Sequence, residues 1–190
     1  MEYHKIEEKI KQKYNISHHD IYGIFLFGSR VYKTHNGYSD YDYFIINKII
    51  NNQEIKHKIF NIHLYTREQY QKMLNNHKMI ALEIYFYHKL YEFDFSLDTE
   101  LLKKEVLKNT EETMNKAIFN LSKNYNFGIN KYFHAFRILD FAIQIIEKGE
   151  IYDYSSMNNL WIELNSNYWT EESLKERFNN LYYEKMDKLK

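Results

Sequence analysis

The chain has 190 residues and carries 26 Lys/Arg against 26 Asp/Glu, a formal charge of zero. That length allows one domain or two small lobes with a buried core, and the absence of Cys excludes disulfides, thiolate zinc sites and cysteine nucleophiles. No apolar run approaches the roughly 18 residues of a membrane span, and the charged opening segment MEYHKIEEKIKQKY reads as neither a signal peptide nor an Arg-rich targeting helix. A cytoplasmic protein with no membrane partner is expected. Aromatic residues make up 18% of the chain, and their use as stacking surfaces for bases would need basic neighbours. Residues 1–95 hold 13 Lys/Arg and 11 Asp/Glu, and residues 96–190 hold 13 and 15, so neither half is a polycation. A nucleic-acid partner would have to be held by a local patch.

Along the chain, a helix is expected over 2–14, followed by three runs rich in Ile, Phe and Tyr that favour strands: 21–27, 41–46 and 59–65. Helical patterns over 66–76 and 78–87 come next, the first opened by a Thr66/Gln69 capping box, and 89–93 reads as one more short strand. From residue 99 the strand signal disappears. Helices are expected over 99–124, 129–148, 156–165 and 171–187, with Asp98, Ser155 and Thr170 as N-caps and Gly149 as a C-terminal stop. Tyr132, Phe136, Leu139, Ile143 and Ile146 recur at helical spacing and predict a core-facing stripe. The fold class expected is α+β: a lobe over 1–95 with a small mixed β-sheet and flanking helices, then a lobe of about four helices over 96–190.

The chemistry concentrates in residues 24–47, IFLFGSRVYKTHNGYSDYDYFIIN. An apolar strand runs into Gly28-Ser29, and ten residues later Asp40-Tyr41-Asp42 opens a second one. Residues two apart on a strand share a face, so Asp40 and Asp42 project together, and paired carboxylates repel unless a cation sits between them. Oxygen ligands alone suit Mg²⁺, which takes its remaining ligands from water and substrate phosphates. Gly28 allows close backbone approach to a phosphate, and Ser29 donates from its amide and its hydroxyl. Walker A, Gly-x-Gly-x-x-Gly and Gly-x-Ser-x-Gly patterns are absent, as are His-x₃-His and His-Glu-x-x-His pairs. The His18-His19-Asp20 cluster reads as a turn ahead of a strand.

The pattern hhhGS-x₁₀-DhDh resembles the signature of the DNA-polymerase-β-type nucleotidyltransferase superfamily. FGSRVY…SDYDY is most similar to its small members that include the RNA-ligase-associated group, and IHLYTREQY, ALEIYF and KYFHAFRIL resemble further stretches of that group. The resemblance implies transfer of a nucleoside monophosphate from an NTP such as ATP to a hydroxyl on an RNA 3′ end or on a protein, as in AMPylation. It also implies two Mg²⁺ ions, or Mn²⁺ in their place, at Asp40 and Asp42. Gly28 and Ser29 would cradle the phosphates, with Arg30 a further contact. On the helix after 129, Lys131, His134 and Arg137 share one face, solvated or turned toward phosphate or base.

Two departures from that pattern bear on activity. Lys33 stands where the family often has Gly. The strand over 59–65 lacks the third carboxylate that usually ligates the metal nearest the attacking hydroxyl; Asn61 aligns with it, and His63 lies two residues on. Asn can ligate through its carbonyl oxygen but cannot act as a base. Three outcomes stay open: His63 serves as the general base; Glu54, Glu68 or Glu83 completes the site, unless Glu83 is instead a buried ion-pair partner of Arg30 or Lys89; or the chain binds nucleotide or RNA with little transfer, or is a toxin–antitoxin-type partner.

Overall fold

The computed structural model describes residues 2–14, 17–50, 53–57 and 59–189. The chain divides into two compact units, residues 1–75 with 83–95 and residues 76–82 with 96–190. The last crossing between units follows residue 95, and the segment 76–82, expected in the first lobe, packs with the helical unit.

The first unit is built on a four-stranded mixed sheet. Helix α1 (Glu2–Tyr14) leads through a 3₁₀ turn at His18–Asp20 into β1 (Ile21–Phe27); α2 (Ser29–Tyr32) separates it from β2 (Tyr41–Asn47), and β3 (Gln53–His57) and β4 (Phe60–Thr66) follow. The order is β1-β2-β4-β3, with β1 and β3 antiparallel to their neighbours and β2 parallel to β4. Ile6 and Ile10 of α1 pack on one face, against Tyr43, Ile45, Ile55, Phe60, Ile62 and Leu64. Phe60, Ile62 and Leu64 are buried there while Asn61, His63 and Tyr65 alternate to the other, half-open face. Buried Asn47 shapes the exit from β2: its Oδ1 accepts from the backbone N–H of Ile49 and Ile50, and its Nδ2 donates to the carbonyls of Ile50 and Tyr65.

Helices α3 (Arg67–Asn75) and α4 (Met79–His88) follow the sheet. The capping box forms as the sequence predicts, with Gln69 N–H donating to Thr66 Oγ1 and Thr66 N–H to Gln69 Oε1. Strand β3 is absent from the sequence reading because QEIKH offers one apolar residue, Ile55, to the core; it is a polar edge strand held by β4. The strand expected over 89–93 is instead a set of turns, since Lys89 takes a left-handed φ of 55° and reverses the chain while Leu90 and Phe93 remain buried.

The second unit contains α5 (Thr99–Leu121), α6 (Tyr125–Lys148), α7 (Asn158–Ser166) and α8 (Glu171–Asp187). Asp98 and Thr170 cap α5 and α8 through their side chains, and Gly149 ends α6 at φ 78°. Helix α6 starts four residues earlier than expected because Asn124 caps it by accepting from Phe127 N–H. Ser155 does not cap α7; it donates twice to Asp153 Oδ1, and Met157 occupies the cap position. Tyr132, Phe136, Leu139 and Ile143 of the expected stripe are buried. No helix among the described residues is long and apolar enough to cross a membrane.

Gly128 sets how closely α5 and α6 pack. A Cβ there would lie 2.9 Å from Leu121 N and 3.1 Å from Ala117 O, both backbone atoms that cannot rotate away. Gly128→Val is expected to destabilise the chain by about 2–3 kcal/mol through forced separation of the helices, measured by urea denaturation; unchanged stability would show that the hairpin relaxes freely.

Candidate functional site

The site is assembled at the end of β1. Gly28 has φ 76° and ψ −153°, and a Cβ at this position would lie 2.4 Å from Asp42 Oδ2. Only glycine, therefore, fits both the backbone conformation and the space beside the carboxylate. The next residues form the single turn α2, with Val31 and Tyr32 N–H both donating to Gly28 O. Lys33 closes the turn in the left-handed conformation, φ 61° and ψ 29°. This gives the Gly preference at that position a physical basis: a side chain there costs about 1 kcal/mol. Lys33→Gly should raise stability by about that amount, measured by thermal melting; a loss would mean that the lysine side chain contributes contacts outweighing the strain.

Arg30 is committed to the loop that carries Asp40. Its guanidinium lies 3.5 Å from the Tyr41 ring centroid, and Nη2 donates to Ser39 O at 2.8 Å. Asp40 itself is exposed, immediately ahead of β2, while Asp42 is half-buried on the strand. Asp42 stands opposite Phe27 of β1 and Asn61 of β4, so the register puts Asn61 beside it, where the sequence aligns the absent carboxylate.

Asn61 points its amide nitrogen at two acceptors, Asp42 Oδ1 at 3.1 Å and His63 Nε2 at 3.2 Å. Its Oδ1 is buried with no hydrogen-bond partner among the described residues. Burial holds His63 below the usual imidazole range, against the raising influence of Glu54 and Asp42, with Lys56 acting in the same direction as burial. A neutral ring accepting at Nε2 carries its proton on Nδ1. The ring also meets Phe27 at a steep angle, 5.4 Å between centroids.

The candidate acids separate by position. Glu54 is exposed on β3 directly opposite His63, 3.4 Å from Lys56 Nζ. Glu68 is exposed in the first turn of α3, its carboxyl lowered by its own backbone N–H and then by Thr66. Glu83 is buried and accepts from Tyr32 OH. Nothing local in the sequence marks this pair, 51 positions apart.

In the helical unit Lys131, His134 and Arg137 do lie together. Arg137 Nη2 is 2.6 Å from His134 Nδ1, which therefore accepts. His134 is held well below its usual range, by burial first and then by Arg137 and Lys131; Lys131 is lowered by burial and then by Lys116 and Arg137. Because the folded state disfavours protonated His134, its stabilising contribution is complete above pH about 6.5 and is lost as pH falls below that value toward the depressed folded value. NMR titration should find this ring neutral where an exposed histidine is already charged, and His134→Gln should flatten the acid side of the stability profile. An ordinary imidazole titration would contradict the burial argument.

Asp40, exposed ahead of β2, and Asp42, half-buried on it, carry oxygen donors of the kind a hard divalent cation takes, and the space beside Gly28 is filled by the Asp42 carboxylate. A second ion between Asp42 and β4 does not fit the side chains as they stand, because Asn61 directs a donor there. No group of three or more His, Cys, Asp or Glu side chains gathers among the described residues, and the His18–Asp20 segment forms the turn expected, with Asp20 Oδ2 accepting from Ser17 Oγ.

A glycine turn between strands, an aspartate pressed against it and a four-stranded mixed sheet with flanking helices define an α+β protein. The model of the nucleotidyltransferase domain family matches residues 4–148, and the chain belongs to that family. A crystallised nucleotidyltransferase-like protein from Exiguobacterium sibiricum 255-15 is similar at a TM-score of 0.36 and 13% identity, over 97% of this chain and 74% of its own. No curated protein matches.

Proposed function

We propose that this chain transfers a nucleoside monophosphate from an NTP to a hydroxyl acceptor. The observation that carries the reading is Asp42 lying against Gly28, in a chain of the nucleotidyltransferase family. Asp40 and Asp42 would hold Mg²⁺ or Mn²⁺, and the ion would supply neutralisation of triphosphate charge and polarisation of the α-phosphorus. Gly28 and Ser29 line the β- and γ-phosphates through their backbone, and Arg30 fixes the loop bearing Asp40. The acceptor oxygen bonds to the α-phosphorus, the bond to the bridging oxygen breaks, and pyrophosphate leaves. His63 takes the acceptor's proton at Nε2 once Asn61 releases it. Asn61 ligates an ion only by turning its amide so that Oδ1, unpaired at rest, faces Asp42. Lys131, His134 and Arg137 lie together within the helical unit and take no part in this scheme.

Asn61 supports a second reading, nucleotide binding with little transfer, because an amide NH₂ occupies the position of a ligand and base. The two separate in one experiment with α-labelled NTPs, RNA and protein acceptors, and pyrophosphate detection. Transfer that falls at least about a hundredfold in Asp40→Asn and Asp42→Asn supports the first reading, since the lost charge stabilisation is several kcal/mol. Asn61→Asp is expected to raise the rate. Calorimetric binding without pyrophosphate release supports the second reading, and label incorporation unchanged in both Asp variants would remove this site from the reaction.

A further inference from the structure

The zero net charge of the chain conceals a local imbalance. Residues 113–139, the end of α5, its three-residue turn and most of α6, contain Lys116, Lys123, Lys131 and Arg137 and no Asp or Glu. None of the three lysines has an ion-pair partner among the described residues, whereas lysines elsewhere in the same unit do, such as Lys175 with Glu171 and Lys185 with Asp140. Lys131 is lowered by repulsion from Lys116 and Arg137 as well as by burial, which places it near a cation of α5 and another of α6.

Aromatic rings are interleaved with these charges. Phe119 is 62% exposed and Phe127 41% exposed, unusual for Phe beside so many polar alternatives. Lys123 Nζ stands 3.7 Å from the Phe119 centroid, and Lys131 Nζ stands 5.3 Å from that of Phe127. Phe119 is one helical turn from Lys116, so the groups form a continuous series around the hairpin tip. Two exposed rings would be covered equally well by an apolar protein surface, but that surface would strand three lysines without counter-charges. A phosphate backbone supplies the counter-charges, and unstacked bases supply flat partners for the rings.

We infer that the tip of the α5–α6 hairpin is a docking platform for single-stranded nucleic acid, with Lys116, Lys123 and Lys131 tracking phosphates and Phe119 and Phe127 stacking bases. The platform lies within one unit and requires neither NTP nor a divalent ion. Duplexes are disfavoured because their bases are not free to stack on side chains.

Fluorescence anisotropy with a labelled oligouridine of about 16 nucleotides, in EDTA and without NTP, tests it. Phe119→Ala/Phe127→Ala should weaken binding at least about tenfold. Lys116→Glu/Lys123→Glu should reduce the slope of log K against log salt by about 0.7 for each phosphate that no longer meets a lysine, and Lys116→Gln/Lys123→Gln reads the same contribution if charge reversal perturbs the fold, checked by circular dichroism. The Asp42→Asn chain should bind the oligonucleotide as the parent does, so failure of the transfer reading and failure of this one are seen separately. Absence of binding by the parent, equal binding by parent and both variant pairs, equal affinity for a duplex, or variant-sensitive binding to anionic vesicles in place of RNA would each overturn it.

Discussion

The absence of a side chain at Gly28 is the constraint on which the first unit's site depends. It admits the Asp42 carboxylate to van der Waals distance of the backbone and lets the chain leave β1 at a positive φ. Both neighbours of Asp42 are then dictated by hydrogen-bond ladders: antiparallel pairing brings the β1 end to one side, and parallel pairing brings Asn61 to the other. A shift of one residue in either ladder would turn the carboxylate to the opposite face. The buried strands therefore act on the site by fixing register, with Ile62, Leu64, Tyr43 and Ile45 anchoring it from beneath.

Within that frame the polar groups divide their work. Arg30, next to the glycine turn, is expected from the sequence as a further phosphate contact. In the fold, Arg30 stacks on Tyr41 and ties down the Asp40 loop, while Tyr32 satisfies buried Glu83. Arg30 thereby ties the start of β2 to the loop that carries Asp40. Asn61 joins Asp42 to His63 through one amide nitrogen, so three side chains that the sequence presents as separate candidates form a single hydrogen-bonded unit.

Much of this was legible from the sequence because period and punctuation agree. The apolar runs at β1, β2 and β4, the Thr66/Gln69 box, Asp98, Thr170 and Gly149 each carry a local signal, and each appears in the fold. What escaped depends on distant partners. Gln53–His57 is a strand only because β4 offers it an edge, and 89–93 has strand-like residues but a left-handed Lys89. The early start of α6 rests on Asn124, whose side chain accepts from Phe127 N–H, and on Gly128, whose missing side chain lets α6 lie against α5. At the site, spacing singled out Asp40 and Asp42 and the family resemblance singled out Asn61, whereas the direction of the Asn61 amide is decided by a neighbouring strand and a histidine.

The path of the chain through α4 has a consequence for dissecting the protein. Asn76–Leu82 pack with the helical unit, yet they are flanked on both sides by residues of the sheet unit. Met79, Ala81 and Leu82 are buried there. A fragment ending at residue 95 would take these apolar side chains away from their packing partners and leave a matching gap behind in the remainder. A cut that follows the units would have to leave Asn76–Leu82 with the helical unit, which no single break in the chain can do.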